Sequence, residues 1–182
     1  LLNNIYYAIS SIASPAATLE PFWTCIAFTV PDDVAGISLK NLESKKNAVI
    51  NNAANCLLKI ENFTSPDAAN TNTITFGGAG NSQVKNLTSK CIIENNSNLS
   101  LETAALESNF ANNGTLDFES LSLSSADFAN NGTLKVLTSG SSISSGNLFT
   151  NSASGRIISE TSGTESVLNL VINFADNGNN WE

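Results

Sequence analysis

The sequence predicts an all-β chain wound as a parallel β-helix, a solenoid of short strands with roughly 17–21 residues per coil. Three observations carry this. First, a nonapeptide returns. Phe110-Ala111-Asn112-Asn113-Gly114-Thr115-Leu116-Asp117-Phe118 recurs as Phe128-Ala129-Asn130-Asn131-Gly132-Thr133-Leu134-Lys135-Val136. Ile93-Glu94-Asn95-Asn96-Ser97-Asn98-Leu99-Ser100-Leu101 precedes them on the same template, and Phe149 to Ile157 follows as a degenerate copy. The four starting points, Ile93, Phe110, Phe128 and Phe149, are nearly evenly spaced. Second, apolar residues on both flanks alternate with period two, the mark of a strand with one buried face. Third, the centre of the template is Asn-Gly, a turn signal, since both residues tolerate positive φ. An antiparallel β-sandwich is the alternative, but its strands, repeating about every 8–12 residues, do not require one nonapeptide to return. A β-helix does, because equivalent positions stack about 4.8 Å apart.

Residues 1–30 lack the template and are assigned to an N-terminal capping segment. Pro15, Pro21, Phe22, Trp23 and Cys25 suit an element that covers an open sheet edge. The β-helix coils are assigned to 31–182. Val49-Ile50-Asn51-Asn52 followed by Leu58-Lys59-Ile60 reads as an early, irregular coil. Phe63 to Gly80, with Pro66, reads as a longer loop with a strand inside it at Thr71–Phe76. The clearest repeats fill 93–178, where the ladders can be written down. Ile93, Phe110, Phe128 and Phe149 form one inward ladder, Leu99, Leu116 and Leu134 a second, and Leu101, Phe118 and Val136 a third. Asn112 and Asn130 stack at a corner, where amides hydrogen-bond along the axis. Leu121-Ser122-Leu123-Ser124 and Ser142-Ile143-Ser144 alternate between copies, so each coil holds two or three strands. Phe174-Ala175-Asp176-Asn177-Gly178 opens a further copy, and the chain is expected to be truncated within a longer array.

The composition narrows the function classes. The net charge is −8, with a single Arg (Arg156), seven scattered Lys and no His, so no nucleic-acid partner is expected. Charged residues make up 13%, against about a quarter in ordinary globular domains. Asn, Ser, Thr and Gly supply the polarity instead, which suits a secreted, surface-exposed repetitive β-structure. No apolar run reaches the ~18 residues of a spanning helix, so the chain is not expected to be membrane-embedded.

Cys25, Cys56 and Cys91 lie far apart in the sequence with no His to join them, so they form no metal motif. Two of the three suit a disulfide between layers, or all three are buried thiols. Six sequons mark candidate glycan acceptors: Asn62, Asn86, Asn95, Asn98, Asn113 and Asn131. Without His, the usual general base and the partner of Ser or Cys nucleophiles is missing. Paired carboxylates remain. Asp32-Asp33 follows Pro31 and reads as a turn, while Asp117 and Glu119 flank the inward Phe118 and read as solvated surface. No catalytic residue, cofactor or metal ligand is assigned. Trp23, Trp181, Tyr6 and Tyr7 are the aromatics suited to touch a partner, or to serve as cap and core.

The Phe-x-Asn-Asn-Gly-x-apolar-x-apolar coils around Phe110 and Phe128 resemble those of β-helical surface adhesins. One such group is the fungal hyphally regulated cell-wall protein family. The other comprises bacterial filamentous-haemagglutinin-like and autotransporter passenger domains. The resemblance covers Ile93 to Gly178 and implies a right-handed helix, secretion and display at a cell surface or cell wall. It supplies no catalytic residues. The expected function is thus an adhesin or surface-displayed binding domain that attaches to host-cell or surface glycans, proteins or matrix. A structural stalk or self-assembling extracellular fibre subunit, with other copies of the chain as partners, is the alternative. A polysaccharide-active β-helix enzyme comes third.

Overall fold

Period-two alternation produces strands, and a computed structural model of the chain contains a 17-stranded sheet and, among the described residues, no helix. The structure describes residues 17–19, 23–24, 27–30, 35–44, 47–66, 72–124 and 126–177, the first few (17–28) as backbone strands only. In chain order the strands are β1 (Ala17–Leu19), β2 (Trp23–Thr24), β3 (Ala27–Thr29), β4 (Gly36–Glu43), β5 (Ala48–Asn52) and β6 (Leu57–Ser65). There follow β7 (Thr73–Gly78), β8 (Asn81–Ser89), β9 (Ile92–Asn95), β10 (Asn98–Leu106), β11 (Phe110–Asn112) and β12 (Thr115–Leu123). The last are β13 (Phe128–Asn130), β14 (Thr133–Val136), β15 (Ser141–Asn151), β16 (Arg156–Ser159) and β17 (Leu168–Asp176).

Every pairing is parallel, and each strand pairs with the strand one coil away, so the chain is a right-handed parallel β-helix and not an antiparallel sandwich. The strands form three stacks. The first runs through β1, the leading halves of β4, β6, β8, β10 and β12, then β14 and β16. The second runs through β2, the trailing halves of the same long strands, then the leading halves of β15 and β17. The third holds β3, β5, β7, β9, β11 and β13 and ends in the trailing halves of β15 and β17.

Coil length is less uniform than expected. Leu99, Leu116 and Leu134 follow one another at the spacing of the repeat, but Leu58 pairs with Ser82 and Val49 with Thr75, both well beyond one expected coil. The ladder register is kept, and the additional length lies between strands. The first rung among the described residues begins at Ala17, inside the segment assigned to a cap. The rest of that segment's Pro, Phe and Cys positions lies outside the described residues. The loop expected from Phe63 begins only after Ser65, since Phe63 is fully buried in β6.

The inward ladders make one continuous core. Ile93 lies under Phe110, Phe110 under Phe128, Phe128 under Phe149, and Phe149 under Phe174. Successive ring centroids are 5.3, 5.0 and 4.8 Å apart. Each fully buried ring contributes about 1.5–3 kcal/mol of apolar burial. The second inward ladder starts below Leu99: Ile37, Leu58, Ser82, Leu99, Leu116, Leu134 and Ile157 are in register. Beside the rings runs a buried amide ladder. Asn95 Nδ2 donates to Asn112 Oδ1, Asn112 Nδ2 to Asn130 Oδ1 and Asn130 Nδ2 to Asn151 Oδ1, each at 2.8 Å.

Candidate functional site

Outward residues of the first stack are brought together by register, not by sequence proximity. Ser38, Lys59, Gln83, Ser100, Asp117, Lys135 and Ile158 form one outward column. Beside it stand Lys40, Glu61, Lys85, Glu102, Glu119 and Glu160. All of these but Lys135 and Ile158 line a groove of about 550 Å³ that runs along the helix axis. Its charge is split. Lys40, Lys59 and Lys85 lie in the half nearer the N-terminus, with Glu61. Glu102, Asp117, Glu119 and Glu160 lie in the other half, with Lys135 beside them.

Asp117 is half-buried in this wall. Burial pushes its carboxyl above the usual range, opposed by the hydrogen bond from Ser100 and the positive charge of Lys135 and reinforced by Glu160. Ser100 Oγ is the donor and Asp117 Oδ1 the acceptor of that short bond. The reading of Asp117 as solvated surface is therefore corrected: the neighbouring rungs wall it in. Glu119 remains exposed. Spacing along the sequence gives no sign that the lysines belong together, because only the irregular coil lengths place them on one face.

The sequons separate by burial. Asn95 is fully buried, its Nδ2 donating to Asn112 Oδ1 and, at 3.0 Å, to the Thr115 carbonyl. It belongs to the inward ladder and offers no acceptor to a glycan, a correction to its assignment. Asn113 and Asn131 are exposed and form a second, outer ladder: Asn131 Nδ2 donates to Asn113 Oδ1, and Asn113 Nδ2 to Asn96 Oδ1, both at 2.9 Å. Asn62 and Asn86 join a third ladder at the bend between the first two stacks. There Asn62 Nδ2 donates to Asn41 Oδ1 at 3.0 Å and Asn86 Nδ2 to Asn62 Oδ1 at 2.9 Å. Asn98 is exposed at the start of β10.

Cys56 and Cys91 are buried and neither is in a disulfide, the buried-thiol alternative for these two. They lie at different corners, Cys56 just before β6 and Cys91 just before β9. Burial raises the Cys56 thiol's pKa, and Cys91 Sγ accepts a hydrogen bond from Ser65 Oγ at 2.8 Å. Cys25, Asp32, Asp33, Tyr6, Tyr7 and Trp181 lie outside the described residues, and for Trp23 only the backbone is described. Among the described residues no three His, Cys, Asp or Glu side chains gather as a metal set, and no helix is long and apolar enough to cross a membrane. No protein-family model, curated protein or solved structure matches the chain.

Proposed function

We propose that the chain is the binding module of a secreted, surface-displayed adhesin, and that its ligand lies along the axial groove. The groove itself carries this reading. It passes over seven rungs from Lys40 to Glu160, so at ~4.8 Å per rung it is about 29 Å long. That length suits an extended glycan or about eight residues of extended polypeptide. Hydroxyl, amide and charged side chains face it, and the stacked strands beneath hold them in fixed positions without ligand. Glycans and matrix proteins present hydrogen-bonding groups and scattered charges that such a wall can meet. A stiff stalk is the second reading, favoured by the side-chain ladders that tie each rung to the next.

The test is a glycan and matrix-protein array probed with the purified chain and with Lys59→Glu and Asp117→Lys variants. Saturable binding to a defined class, lost in both variants, is the expected result. A blank from folded protein would sink the binding reading and favour the stalk. Cleavage of a bound glycan would instead favour the enzyme, with the half-buried Asp117 as its acid.

A further inference from the structure

The two halves of the axial groove carry opposite charge, and that division narrows what the groove can hold. Lys40, Lys59 and Lys85 outnumber Glu61 in the half nearer the N-terminus. In the other half Glu102, Asp117, Glu119 and Glu160 outnumber Lys135. Lys59, Lys85, Glu102 and Glu119 are all exposed. Glu102 and Glu119 are neighbours on successive rungs, held between the register pairs Leu101–Phe118 and Thr103–Ser120. Like charges placed side by side destabilise a sheet. The free wall therefore carries a repulsion that a cationic group lying over it would relieve.

Spacing and sign together select a class of polymer. Lys59 on β6 and Asp117 on β12 stand three rungs apart, about 14 Å at ~4.8 Å per rung. An extended polypeptide advances about 3.3–3.6 Å per residue and covers that distance in about four residues. Its side chains can change sign within such a stretch. An acidic polysaccharide repeats one charge along its length, so its anionic groups would meet Glu102 and Glu119 and be repelled. A neutral glycan would cover the ionised side chains without supplying a counter-charge, which is costly.

We infer that the groove holds an extended polypeptide, with acidic side chains over Lys59 and Lys85 and basic side chains about four residues away over Glu102 and Glu119. This ligand class presupposes that the groove is the binding site. Either chain direction satisfies it, because a peptide can turn end for end. What the groove requires is that the two signs be segregated along the ligand, not interleaved.

Two labelled heptapeptides of one composition supply the probe. The first has two aspartates, three prolines and two lysines in that order, and the second has one aspartate and one lysine at each end of the same prolines. The prolines keep both extended. Fluorescence anisotropy with the intact chain at low ionic strength, where surface charge is least screened, should show saturable binding of the first peptide. The second should bind at least about tenfold more weakly, since exposed ion pairs are individually weak but several are lost together. In a chain carrying Lys59→Glu and Lys85→Glu the preference should disappear. Equal affinity for the two peptides, no binding of either, or a preference that survives the double variant would overturn the inference. A glycan bound by the intact chain and lost in the double variant would overturn the ligand class while leaving the groove as the binding site. Concentration-dependent self-association lost in the same variant would give the groove to a second copy instead. If no peptide, glycan or matrix protein binds, the groove reading falls as well.

Discussion

The corner after the third stack is built in two ways, and the difference lies in one inward column. In β9, β11, β13 and β15 that column is Asn95, Asn112, Asn130 and Asn151, while in β5 and β7 it is Ile50 and Phe76. At three of the four Asn positions the corner is short: β10 starts three residues after Asn95, β12 three after Asn112 and β14 three after Asn130, while β16 starts five after Asn151. Each amide donates a second hydrogen bond across the corner, Asn95 to the Thr115 carbonyl, Asn112 to that of Thr133 and Asn130 to that of Arg156. Backbones pass closely at both kinds of corner: a Cβ on Gly132 would lie 2.1 Å from the Gly114 oxygen, and one on Gly80 2.0 Å from the Ala53 oxygen. Where the column is apolar, the column itself has no amide to reach across. The chain takes five residues from Phe76 to β8 and seven from Ile50 to β6. There Asn52, further along, donates to the carbonyls of Cys56 and Asn81. Both fillings are compatible with the same strand register. At the border, where Asn95 lies on Phe76, Asn95 Oδ1 accepts from the Ser97 amide and hydroxyl at 3.1 and 3.2 Å, so the ladder's lower end is satisfied locally.

The sharpest way to break the regular region is through its rings. Phe128 is 1% exposed between two other phenylalanines, so Phe128→Asp would bury a charge without a partner. The expected loss is comparable with a whole domain's stability, about 5–15 kcal/mol, and circular dichroism should show an unfolded chain. Melting like the parent would contradict the inward register of Phe110, Phe128 and Phe149.

A smaller effect separates the inner from the outer Asn ladder. Asn112→Ala leaves the Thr133 carbonyl, Asn130 Oδ1 and an Asn95 N–H without their partner inside the wall. At roughly 1–3 kcal/mol per stranded buried group, a loss of about 3 kcal/mol or more is expected. Asn113→Ala, one residue along, removes hydrogen bonds that water replaces, and should cost about 0.5–1 kcal/mol. Urea unfolding of the two variants checks this, and equal losses would show that the inner ladder has no special role in closing the corner.

The same contrast explains what can be read from the sequence. Residues 93–136 stand out because Asn95, Asn112 and Asn130 sit at short corners, and short corners keep the repeat near-constant. Phe110, Phe128, Asn112 and Asn130 can thus be placed on their ladders from spacing alone. The rungs holding Ile37, Leu58 and Ile74 follow the same register, but the longer corners and the segment after Ser65 erase the period. The groove is unreadable for the same reason: joining Lys40, Lys59 and Lys85 to Asp117 requires the register of those irregular rungs. So is the Asn41–Asn62–Asn86 ladder, whose steps are unequal in sequence although its hydrogen bonds are alike.

The smallest expected effect concerns the outer column, where Asp117 lies between Ser100 and Lys135. Burial is the largest influence on its carboxyl and raises the pKa in the folded chain. A raised carboxyl binds its proton more tightly when folded. Its contribution to stability is therefore full below the unfolded-state pKa and is lost as pH rises through the folded-state value. At neutral pH the ionised group is a net liability to the wall. Asp117→Asn should then melt slightly above the parent at pH 7, and this advantage should shrink at pH 3, where both side chains are neutral. Thermal melts at the two pH values decide the sign. If the variant is instead less stable at pH 7 than at pH 3 relative to the parent, the Ser100 hydrogen bond and the Lys135 charge outweigh desolvation. The outer column would then stabilise its rungs through charge, as the inner one does through amides.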